Sequence, residues 1–349
     1  MKTRFIFLVL IPYVLFGATI DTFYGPLEVE EPVLLELIDS APFCRLKSVH
    51  QYGVSYYTTH REEYNRHAHS LGVFALLRLH QASLEEQIAG LLHDVSHTVF
   101  SHVGDWLFAK ANQDKDYQNS IHADFLEKYG LGDILKKHGF SIAEVLPEED
   151  LFPMLEQKGP DLCADRIDYN IQGAYYQGFL TYEEAMQIAE DLSFVEGKWI
   201  STLPGLMKKL VRFSLFMTED CWGSPANYLM SSYLAEAMLS GVEEGVISHE
   251  DIHFGIDDDI WNRLLASQDP LISKNMTKIL QVNEYYKLVD PISADIVVKS
   301  KFRGIDPWIV VGGQLVRLTA LDALLKQEYN LLQKKLSNGW GINLFEDRY

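Results

Sequence analysis

Residues 91–97 read LLHDVSH, so an apolar helical run ends abruptly in the adjacent pair His93 and Asp94. A bound metal ion needs neutral imidazole and carboxylate ligands, and the end of a buried helix can present both without placing either in a fully apolar environment. A His-Asp pair on its own is more often a hydrogen-bonded helix end. Here, however, seven of the twelve histidines lie between His67 and His122.

Two further segments carry related residues. Residues 65–73 read NRHAHSLGV and open the helix that precedes the stretch at 91–97, and residues 164–169 read ADRIDY and lie on a later helix. On that later helix Asp165 and Tyr169 are four residues apart and share one face. The pair at 93–94 therefore does not stand alone.

From residue 31 onward the dominant pattern is helical, because apolar residues recur at helical spacing in segments such as 33–38 and 71–79. Residues 83–86 and 181–184 read SLEE and TYEE, which are capping-box patterns that begin helices. Alternating runs are few, and the best candidate for a strand pair is 194–202, with its turn at Glu196-Gly197. We therefore predict a mainly α protein with at most a few short strands.

The composition is that of an ordinary globular protein. Of 349 residues, 47% are hydrophobic and 23% are charged, which excludes a disordered, collagen-like or polytopic membrane protein. The net charge of −19 would repel a nucleic-acid backbone, so we predict no polymeric nucleic-acid partner. Cys44, Cys163 and Cys221 form no CxxC pair, which indicates neither a disulfide framework nor a thiolate zinc site and leaves one bridge open.

The N-terminus has the order of a secretory signal peptide. Cations within residues 1–4 precede an apolar run over 5–16, which is too short to span a bilayer comfortably and is followed by small residues at 17–19. Pro12 within the run favours the alternative of a buried N-terminal helix or strand. We predict a signal peptide over 1–18, export to the periplasm or the extracellular side, and no membrane span after processing; a cytoplasmic protein is the alternative.

The ordered set His69, His93-Asp94 and Asp165 resembles the metal-binding signature of the HD-domain phosphohydrolases. Four further segments resemble the deoxynucleoside triphosphate triphosphohydrolase branch of that family, and they read YGPL at 24–27, FCRL at 43–46, QYG at 51–53 and FSH at 100–102. The resemblance implies an HD-domain helical bundle. With no visible linker, we place this core at 19–195 and a helical extension that completes the fold at 196–349.

The resemblance also implies a metal site with open positions for water and a phosphate oxygen. Its ligands would be His69, His93, Asp94 and Asp165, which together would hold one divalent ion. Such an ion lowers the pKa of bound water and neutralises charge on the phosphoryl group. Two imidazoles and two carboxylates without a thiolate suit Mn, Fe, Ni, Co, Zn or Mg.

A second set of residues resembles the family's proton-handling and substrate-binding positions. His102, Asp105 and His122 resemble the residues that protonate or orient the leaving oxygen, although a surface histidine on an amphipathic helix is the alternative for His122. The positions that resemble phosphate contacts are Arg66, His97, Arg166 and Tyr169, and Gln51 resembles a position that contacts the sugar.

Ordinary salt bridging is the alternative for the substrate-contacting arginines. Asp168 is expected to be structural, because the helix turns it away from the face of Asp165 and Tyr169.

Several residues depart from the pattern of the triphosphohydrolase branch. Gly173 stands where the branch has an aspartate near the sugar hydroxyl, Ala123 follows His122 where an acid is expected, and Tyr52 replaces a smaller aliphatic residue. No Lys, Arg or His occurs from 213 to 248, where the branch places cations that bind phosphates. These departures predict a changed substrate rather than a lost metal site.

We therefore predict an enzyme in which a metal-activated water attacks the phosphorus of a nucleotide or a similar small phosphate ester. One alternative is a triphosphohydrolase that releases tripolyphosphate from deoxynucleoside triphosphates and receives its cations from another subunit. Another is a catalytically silent HD-domain binding or regulatory module. The family's habit of assembling subunits allows a homo-oligomer.

Overall fold

The computed structural model describes residues 17–59, 64–108 and 117–345. Over these residues the helices are α1 Pro32–Ile38, α2 Ala41–Arg45, α3 Tyr56–Thr59, α4 Arg66–Leu79, α5 Leu84–Leu92, α6 Val103–Phe108, α7 Tyr117–Lys128, α8 Leu131–Lys137, α9 Ala164–Tyr176, α10 Tyr182–Asp191, α11 Pro204–Met217, α12 Pro225–Glu243, α13 His249–Phe254, α14 Asp257–Ala266, α15 Pro270–Leu280, α16 Leu318–Leu321 and α17 Ala323–Asn338. The strands are β1 Ala18–Thr22, β2 Gly25–Val29, β3 Ser193–Val195, β4 Lys198–Ser201, β5 Tyr286–Val289, β6 Ile296–Val298, β7 Trp308–Val311, β8 Gln314–Arg317 and β9 Trp340–Leu344. The prediction of a mainly α protein is confirmed.

The strands form three small sheets, which is more β-structure than predicted. Strands β1 and β2 form a hairpin, β3-β4-β7-β8 form a second sheet, and β5-β9-β6 form a third. The predicted strand pair at 194–202 is confirmed as β3 and β4, whose turn residues Glu196 and Gly197 have φ of 49° and 76°. The other strands of the extension are three to five residues long, and so short a segment gives little alternation to detect.

The hydrophobic core joins the two predicted segments of the chain. Ile167 and Ile171 of α9 share one buried cluster with Leu210 and Phe213 of α11. Strand β3, before the predicted division, pairs with β4 after it, and β4 pairs in turn with β7, more than a hundred residues later in the chain. The division at residue 195 stays a prediction.

The structure also bears on the cysteines and on the prediction of no membrane span. Cys44, Cys163 and Cys221 are free thiols. No helix within 17–59, 64–108 or 117–345 combines the length and the hydropathy needed to cross a bilayer. Residues 1–16 of the predicted signal peptide lie outside the described residues.

Polar side chains begin the helices that carry the site. Asn65 caps α4 by accepting a hydrogen bond from the Ala68 N–H, and Ser83 caps α5 by accepting one from the Glu86 N–H. The predicted capping box at 83–86 is only half formed, because the Glu86 carboxylate instead accepts hydrogen bonds from the N–H groups of Met154 and Leu155. This buried carboxylate therefore fastens the segment that leads into α9.

Helices α4 and α9 approach closely at Gly72. A Cβ atom at this position would lie 2.0 Å from Asp168 Oδ1 and 2.7 Å from Gln172 Nε2. The absence of a side chain therefore allows α9 to bring its acidic residues against the histidines of α4.

Replacing Gly72 with Ala is expected to lower the free energy of unfolding by about 1–3 kcal/mol, because the added methyl overpacks the contact between α4 and α9. Gly205→Ala is the matched control, since a Cβ at Gly205 meets nothing within 4 Å. Urea denaturation of both variants measures the difference. Equal stabilities would contradict the close approach of the two helices.

Candidate active site

One cavity of about 890 Å³ contains most of the residues singled out by the sequence. Its walls come from α4, the C-terminal end of α5, α9, the start of α12, and the segments 97–103 and 299–303. All twelve predicted site residues line it, namely Gln51, Arg66, His69, His93, Asp94, His97, His102, Asp105, His122, Asp165, Arg166 and Tyr169. Residues more than a hundred positions apart thus line the same cavity.

Two histidines face each other at the base of the cavity. The Nδ1 atom of His93 donates to the Gly90 carbonyl at 2.7 Å, and the Nδ1 atom of His69 donates to Asp168 Oδ2 at 2.6 Å. When both rings are neutral, their Nε2 atoms therefore carry lone pairs, and these atoms are 3.2 Å apart. Asp165 Oδ1 lies 3.0 Å from His69 Nε2. Three lone-pair donors at this spacing repel one another unless a positive charge lies between them.

This donor set fits a divalent metal ion. One ligand atom from each of His69, His93 and Asp165 lies within 4.8 Å of the other two. Neutral imidazole nitrogens and a carboxylate oxygen suit Zn, Mn, Fe, Co or Ni, and Mg accepts the oxygen ligands. The structure therefore brings together three of the four residues that the sequence pattern proposed as ligands.

Charges around these residues also indicate a place for a cation. Burial disfavours the imidazolium form of His69, but hydrogen bonds to Asp165 and Asp168 outweigh burial and raise its pKa to about 10. Burial opposes ionisation of Asp165 as well, yet the two histidines hold its pKa well below the usual range. Both pKa shifts favour a positive charge among these donors, and a metal ion would supply one at the same place.

Asp94 lies beside this cluster. Its carboxylate oxygens are 3.7 Å from His69 Nε2 and 3.5 Å from His93 Nε2. Arg66 forms an ion pair with Oδ2, and His97 Nε2 donates to Oδ1 at 3.1 Å. Burial disfavours the charged carboxylate, but Arg66, His93 and His97 together outweigh that cost, and the pKa of Asp94 lies well below its usual range.

Asp168 has a position that the sequence did not indicate. Helix α9 does turn Asp168 away from Asp165. Because α4 packs closely against α9 at Gly72, the buried Asp168 carboxylate nevertheless contacts Nδ1 of His69, the ring nitrogen opposite the ligand atom Nε2. It also accepts hydrogen bonds from the Tyr24 hydroxyl at 2.9 Å and from Gln172. Such a carboxylate sets the tautomer and the orientation of a metal-binding histidine.

Glu156 is a second residue that no sequence pattern singled out. It lines the cavity, and together with Cys163 and Asp165 it forms another group whose ligand atoms lie within 4.8 Å. Burial and the neighbouring Asp165 raise the pKa of Glu156 above its usual range. The shift favours the protonated carboxyl group. The closeness of residues 156 and 165 depends on the turn before α9.

The predicted proton-handling histidines have different surroundings. His122 is buried, which is contrary to the alternative of a surface histidine. Gln118 donates to the Ser96 hydroxyl at 3.1 Å, and that hydroxyl can donate to His122 Nδ1 at 2.7 Å. The ring hydrogen of His122 then lies on Nε2, which is buried without a partner among the described residues. Burial lowers the pKa of His122 to about 4, so the ring is neutral.

The other pair, His102 and Asp105, lies nearer to solvent. The His102 side chain is 50% exposed, and its Nδ1 is 3.5 Å from Asp105 Oδ2. Asp105 also accepts a hydrogen bond from the Tyr117 N–H at 2.7 Å. Burial opposes ionisation of Asp105, but His102 outweighs it and lowers the pKa of the carboxyl.

The predicted substrate contacts divide into two groups. Arg66 is committed to Asp94, and Arg166 donates to the carbonyls of Gln157 and Asp161. The groups that remain open to the cavity include the carboxamide oxygen of Gln51 and the Nδ1 atom of His97, which are buried without hydrogen-bond partners among the described residues.

The segment that carries His97 is anchored by the C-terminal half of the chain. Arg45 donates to the carbonyls of Val95 and His97 and also to that of Gly255. Asp257, at the start of α14, accepts the N–H groups of His50 at 2.9 Å and Phe100 at 2.8 Å. Both edges of the cavity near Gln51 and His97 therefore depend on residues of the extension.

The departure at Gly173 has a steric basis in this chain. A Cβ at Gly173 would lie 2.6 Å from Phe213 Cζ and 3.1 Å from the Tyr52 hydroxyl oxygen. Tyr52 and Phe213 therefore fill the space that a side chain at 173 would need. Ala123 lines the cavity next to His122 and, as the sequence shows, supplies no acid.

The expected shortage of cations is corrected by the structure. The sequence from 213 to 248 has none, but the cavity is lined by Lys299, Lys301 and Arg303 from the segment between β6 and β7. The cations that the triphosphohydrolase alternative would take from another subunit thus have counterparts in the cavity wall of this chain, while the supply from another subunit stays a prediction. No local pattern could reveal this, because the segment lies more than a hundred residues from Asp165.

Comparison with known proteins agrees with this geometry. Residues 66–169 match the HD domain family model. The chain is 33% identical over 329 residues to the uncharacterized protein YdhJ of Bacillus subtilis. The aligned region covers 93% of this chain and 98% of YdhJ. It is 34% identical over 256 residues to the metal-dependent phosphohydrolase cns2 of Cordyceps militaris, covering 72% and 73% of the two chains.

A shorter match reaches the branch that the sequence motifs indicated. The deoxynucleoside triphosphate triphosphohydrolase SAMHD1 of Bos taurus is 32% identical over 158 residues, which cover 39% of this chain and 26% of that protein. The long matches extend well beyond the HD domain itself. The chain therefore belongs to the HD-domain metal-dependent phosphohydrolases and is a hydrolase.

Proposed function

We propose that this enzyme hydrolyses a nucleotide or a similar small phosphate ester with one divalent metal ion held by His69, His93, Asp94 and Asp165. The observation that carries the proposal is the convergence of two Nε2 atoms and a carboxylate oxygen at the base of a cavity large enough for a nucleotide. A metal ion bound there would supply an acidified water and neutralise phosphoryl charge.

The protein's own residues would prepare the ligands. Asp168 and the Gly90 carbonyl hold the Nδ1 hydrogens of His69 and His93, so that both Nε2 atoms face the cavity. Arg66 and His97 keep Asp94 ionised and fix its orientation. These contacts fix the orientation of the ligand side chains, which lowers the cost of assembling the site.

Three residues would act on the leaving group. His102, with Nδ1 towards Asp105, would deliver a proton to the ester oxygen that leaves. His122, which is neutral, would position that oxygen by donating a hydrogen bond from Nε2 rather than by transferring a proton. Gln51, His97 and Tyr169 would contact the rest of the substrate, and the engaged guanidinium of Arg166 would shape the wall.

The triphosphohydrolase alternative is favoured by a specific observation, the three cationic side chains of 299–303 that line the cavity. The product distinguishes the two candidates. Release of tripolyphosphate from a nucleoside triphosphate indicates attack at the phosphorus next to the nucleoside, whereas orthophosphate indicates a terminal phosphoryl group.

The test is a panel of nucleotides and simple phosphate esters incubated with the full chain and with each divalent metal in turn. Orthophosphate, pyrophosphate and tripolyphosphate are measured separately, and chelation of the metal is the control. We expect release with at least one metal and none after chelation. Metal binding without release from any ester would instead support a binding or regulatory module.

A further inference from the structure

The buried ring of His122 is held by two polar residues that no sequence pattern singled out. Gln118 and His122 lie four residues apart on α7 and share one face of that helix. Ser96, in the segment that follows His93 and Asp94, forms hydrogen bonds with both. The side chains of Ser96, Gln118 and His122 are all buried. Their hydrogen bonds are therefore shielded from water, which strengthens them.

The direction of these hydrogen bonds is set at a backbone carbonyl. The Nε2 atom of Gln118 donates to the His93 carbonyl at 2.6 Å, and because a carbonyl oxygen can only accept, this contact fixes the orientation of the carboxamide. The second Nε2 hydrogen is donated to the Ser96 hydroxyl oxygen at 3.1 Å. That oxygen therefore already accepts one hydrogen bond and has one hydrogen of its own to donate.

Two acceptors lie near the Ser96 hydroxyl. The Nδ1 atom of His122 is 2.7 Å away, whereas the backbone carbonyl of Gln118 is 3.4 Å away, which is long for a hydroxyl donor. The ring nitrogen is thus the acceptor, and the single ring hydrogen lies on Nε2. We call Gln118, Ser96 and His122 the hydrogen-bond chain.

The far end of the hydrogen-bond chain reaches the wall of the cavity. His122 lines that wall, and its Nε2 atom is buried without a hydrogen-bond partner among the described residues. A buried donor without an acceptor carries a free-energy cost, which the oxygen of a bound substrate would remove. Because Gln118 also binds the backbone of His93, the position of this donor is fixed relative to the ligand cluster.

The hydrogen-bond chain suits His122 to donating a hydrogen bond and not to relaying a proton. His102 contacts the carboxylate of Asp105, whose charge can balance an imidazolium. His122 instead contacts an uncharged hydroxyl, and Ala123 supplies no acid beside it. A second ring hydrogen on Nδ1 would require the Ser96 hydroxyl to turn to its longer contact.

We propose that Ser96 and Gln118 are positioning residues that hold His122 as its Nε2–H tautomer and so direct one hydrogen bond towards the leaving oxygen of the substrate. This inference rests on the proposed function, in which His122 positions that oxygen, and it adds the two residues that set the direction of the donor. Both act through His122. The role requires a hydrogen-bond donor at position 118, so a glutamate of the same shape cannot perform it.

The variant Gln118→Glu is expected to reverse the hydrogen-bond chain with almost no change in shape. A carboxylate only accepts, and the single hydrogen of a protonated carboxyl would be taken by the His93 carbonyl, so in either form the Ser96 hydroxyl turns towards residue 118. Its oxygen then accepts from the ring, and the ring hydrogen moves to Nδ1. Nitrogen NMR of the full chain with isotope-labelled histidine distinguishes the two tautomers, and the signal missing from His122→Gln identifies the ring.

We expect the Nε2–H tautomer in the unaltered protein and the Nδ1–H tautomer in Gln118→Glu. The matched control is Gln87→Glu, which changes a buried glutamine that also donates to a backbone carbonyl, that of Ala82 at 2.9 Å, and that does not line the cavity. This control should keep the Nε2–H tautomer. Ser96→Ala is a second variant, which removes the donor to Nδ1 and should leave a mixture of both tautomers.

Kinetics with an ester that the unaltered protein hydrolyses test the link to the leaving oxygen. Gln118→Glu and Ser96→Ala should lower kcat about 10–100-fold and change KM and metal affinity less than about twofold, because the donor acts mainly on charge that develops in the transition state. The control Gln87→Glu should keep the rate. A packing defect alone would not change the tautomer.

An Nδ1–H tautomer in the unaltered protein, or an Nε2–H tautomer retained in both Gln118→Glu and Ser96→Ala, would overturn the assignment of these two residues. A changed tautomer with an unchanged kcat would overturn the link to the leaving oxygen. The NMR measurement needs no substrate, so it decides on Ser96 and Gln118 separately from the ester panel that tests the proposed function.

Discussion

The variant Asp165→Asn is expected to lose metal-dependent phosphate release by at least about a thousandfold, which corresponds to several kcal/mol of transition-state stabilisation. Asp165 offers one carboxylate oxygen to the Nε2 atoms of both imidazoles, with Oδ1 3.0 Å from that of His69 and 3.5 Å from that of His93. Asparagine removes the negative charge and offers a neutral amide in its place. Initial rates at saturating metal measure the effect.

Metal binding provides a second readout for this variant. Metal added to the unaltered protein should raise its melting temperature, because only the folded chain assembles the ligands. Asp165→Asn should show little of this shift. The matched control is Asp124→Asn on α7, an exposed aspartate that does not line the cavity, which should keep both the activity and the shift. Normal turnover by Asp165→Asn would refute its place at the centre of the site.

The affinity for the activating metal should rise with pH by about tenfold per unit through the neutral range, because binding must displace a proton from His69. The pKa of His69 is about 10 in the folded protein, since Asp165 and Asp168 outweigh the effect of burial, against an ordinary value of 6.5. This raised pKa stabilises the metal-free fold below about pH 6.5, and the contribution is lost as pH rises through about 10. Calorimetric metal titrations between pH 6.5 and 9 measure the slope.

Asp168→Asn tests the origin of that slope. The substitution removes one of the charges that hold the proton on His69, so the affinity should level off at a lower pH. It should also weaken metal binding about 10–100-fold at high pH, because the ring loses the partner that orients it. An affinity that is constant over this range in the unaltered protein would contradict a displaced proton.

The sequence predicted only part of the candidate site, because only some of its residues lie in recognisable short motifs. His69, His93-Asp94 and Asp165 lie in short segments whose order and flanking residues are characteristic, so they can be selected without coordinates. Asp168 was expected to be only structural, because the helix turns it away from Asp165 and Tyr169. That direction is correct, but the sequence does not show that Asp168 has a partner on α4. Its contact with His69 depends on how closely Gly72 lets the two helices pack.

The substrate side of the cavity shows the limit of local patterns. Residues 213–248 contain no Lys, Arg or His, but this does not predict the charge of the cavity wall. Lys299, Lys301 and Arg303, which lie much later in the chain, line the cavity. The short strands of the extension were missed for a related reason. Strand β4 is completed by β7, a partner more than a hundred residues away, and such pairing is not encoded in the periodicity of either strand.

By itself, the sequence determined the helical class and the family and selected the candidate donor residues, since helical periodicity and motif spacing are properties of neighbouring residues. The tertiary structure decided which donors meet, with the Nε2 atoms of His69 and His93 3.2 Å apart, and which charges are already paired. It also decided which cations face the cavity. Those facts arise from packing between distant segments, and packing is a property of the whole chain.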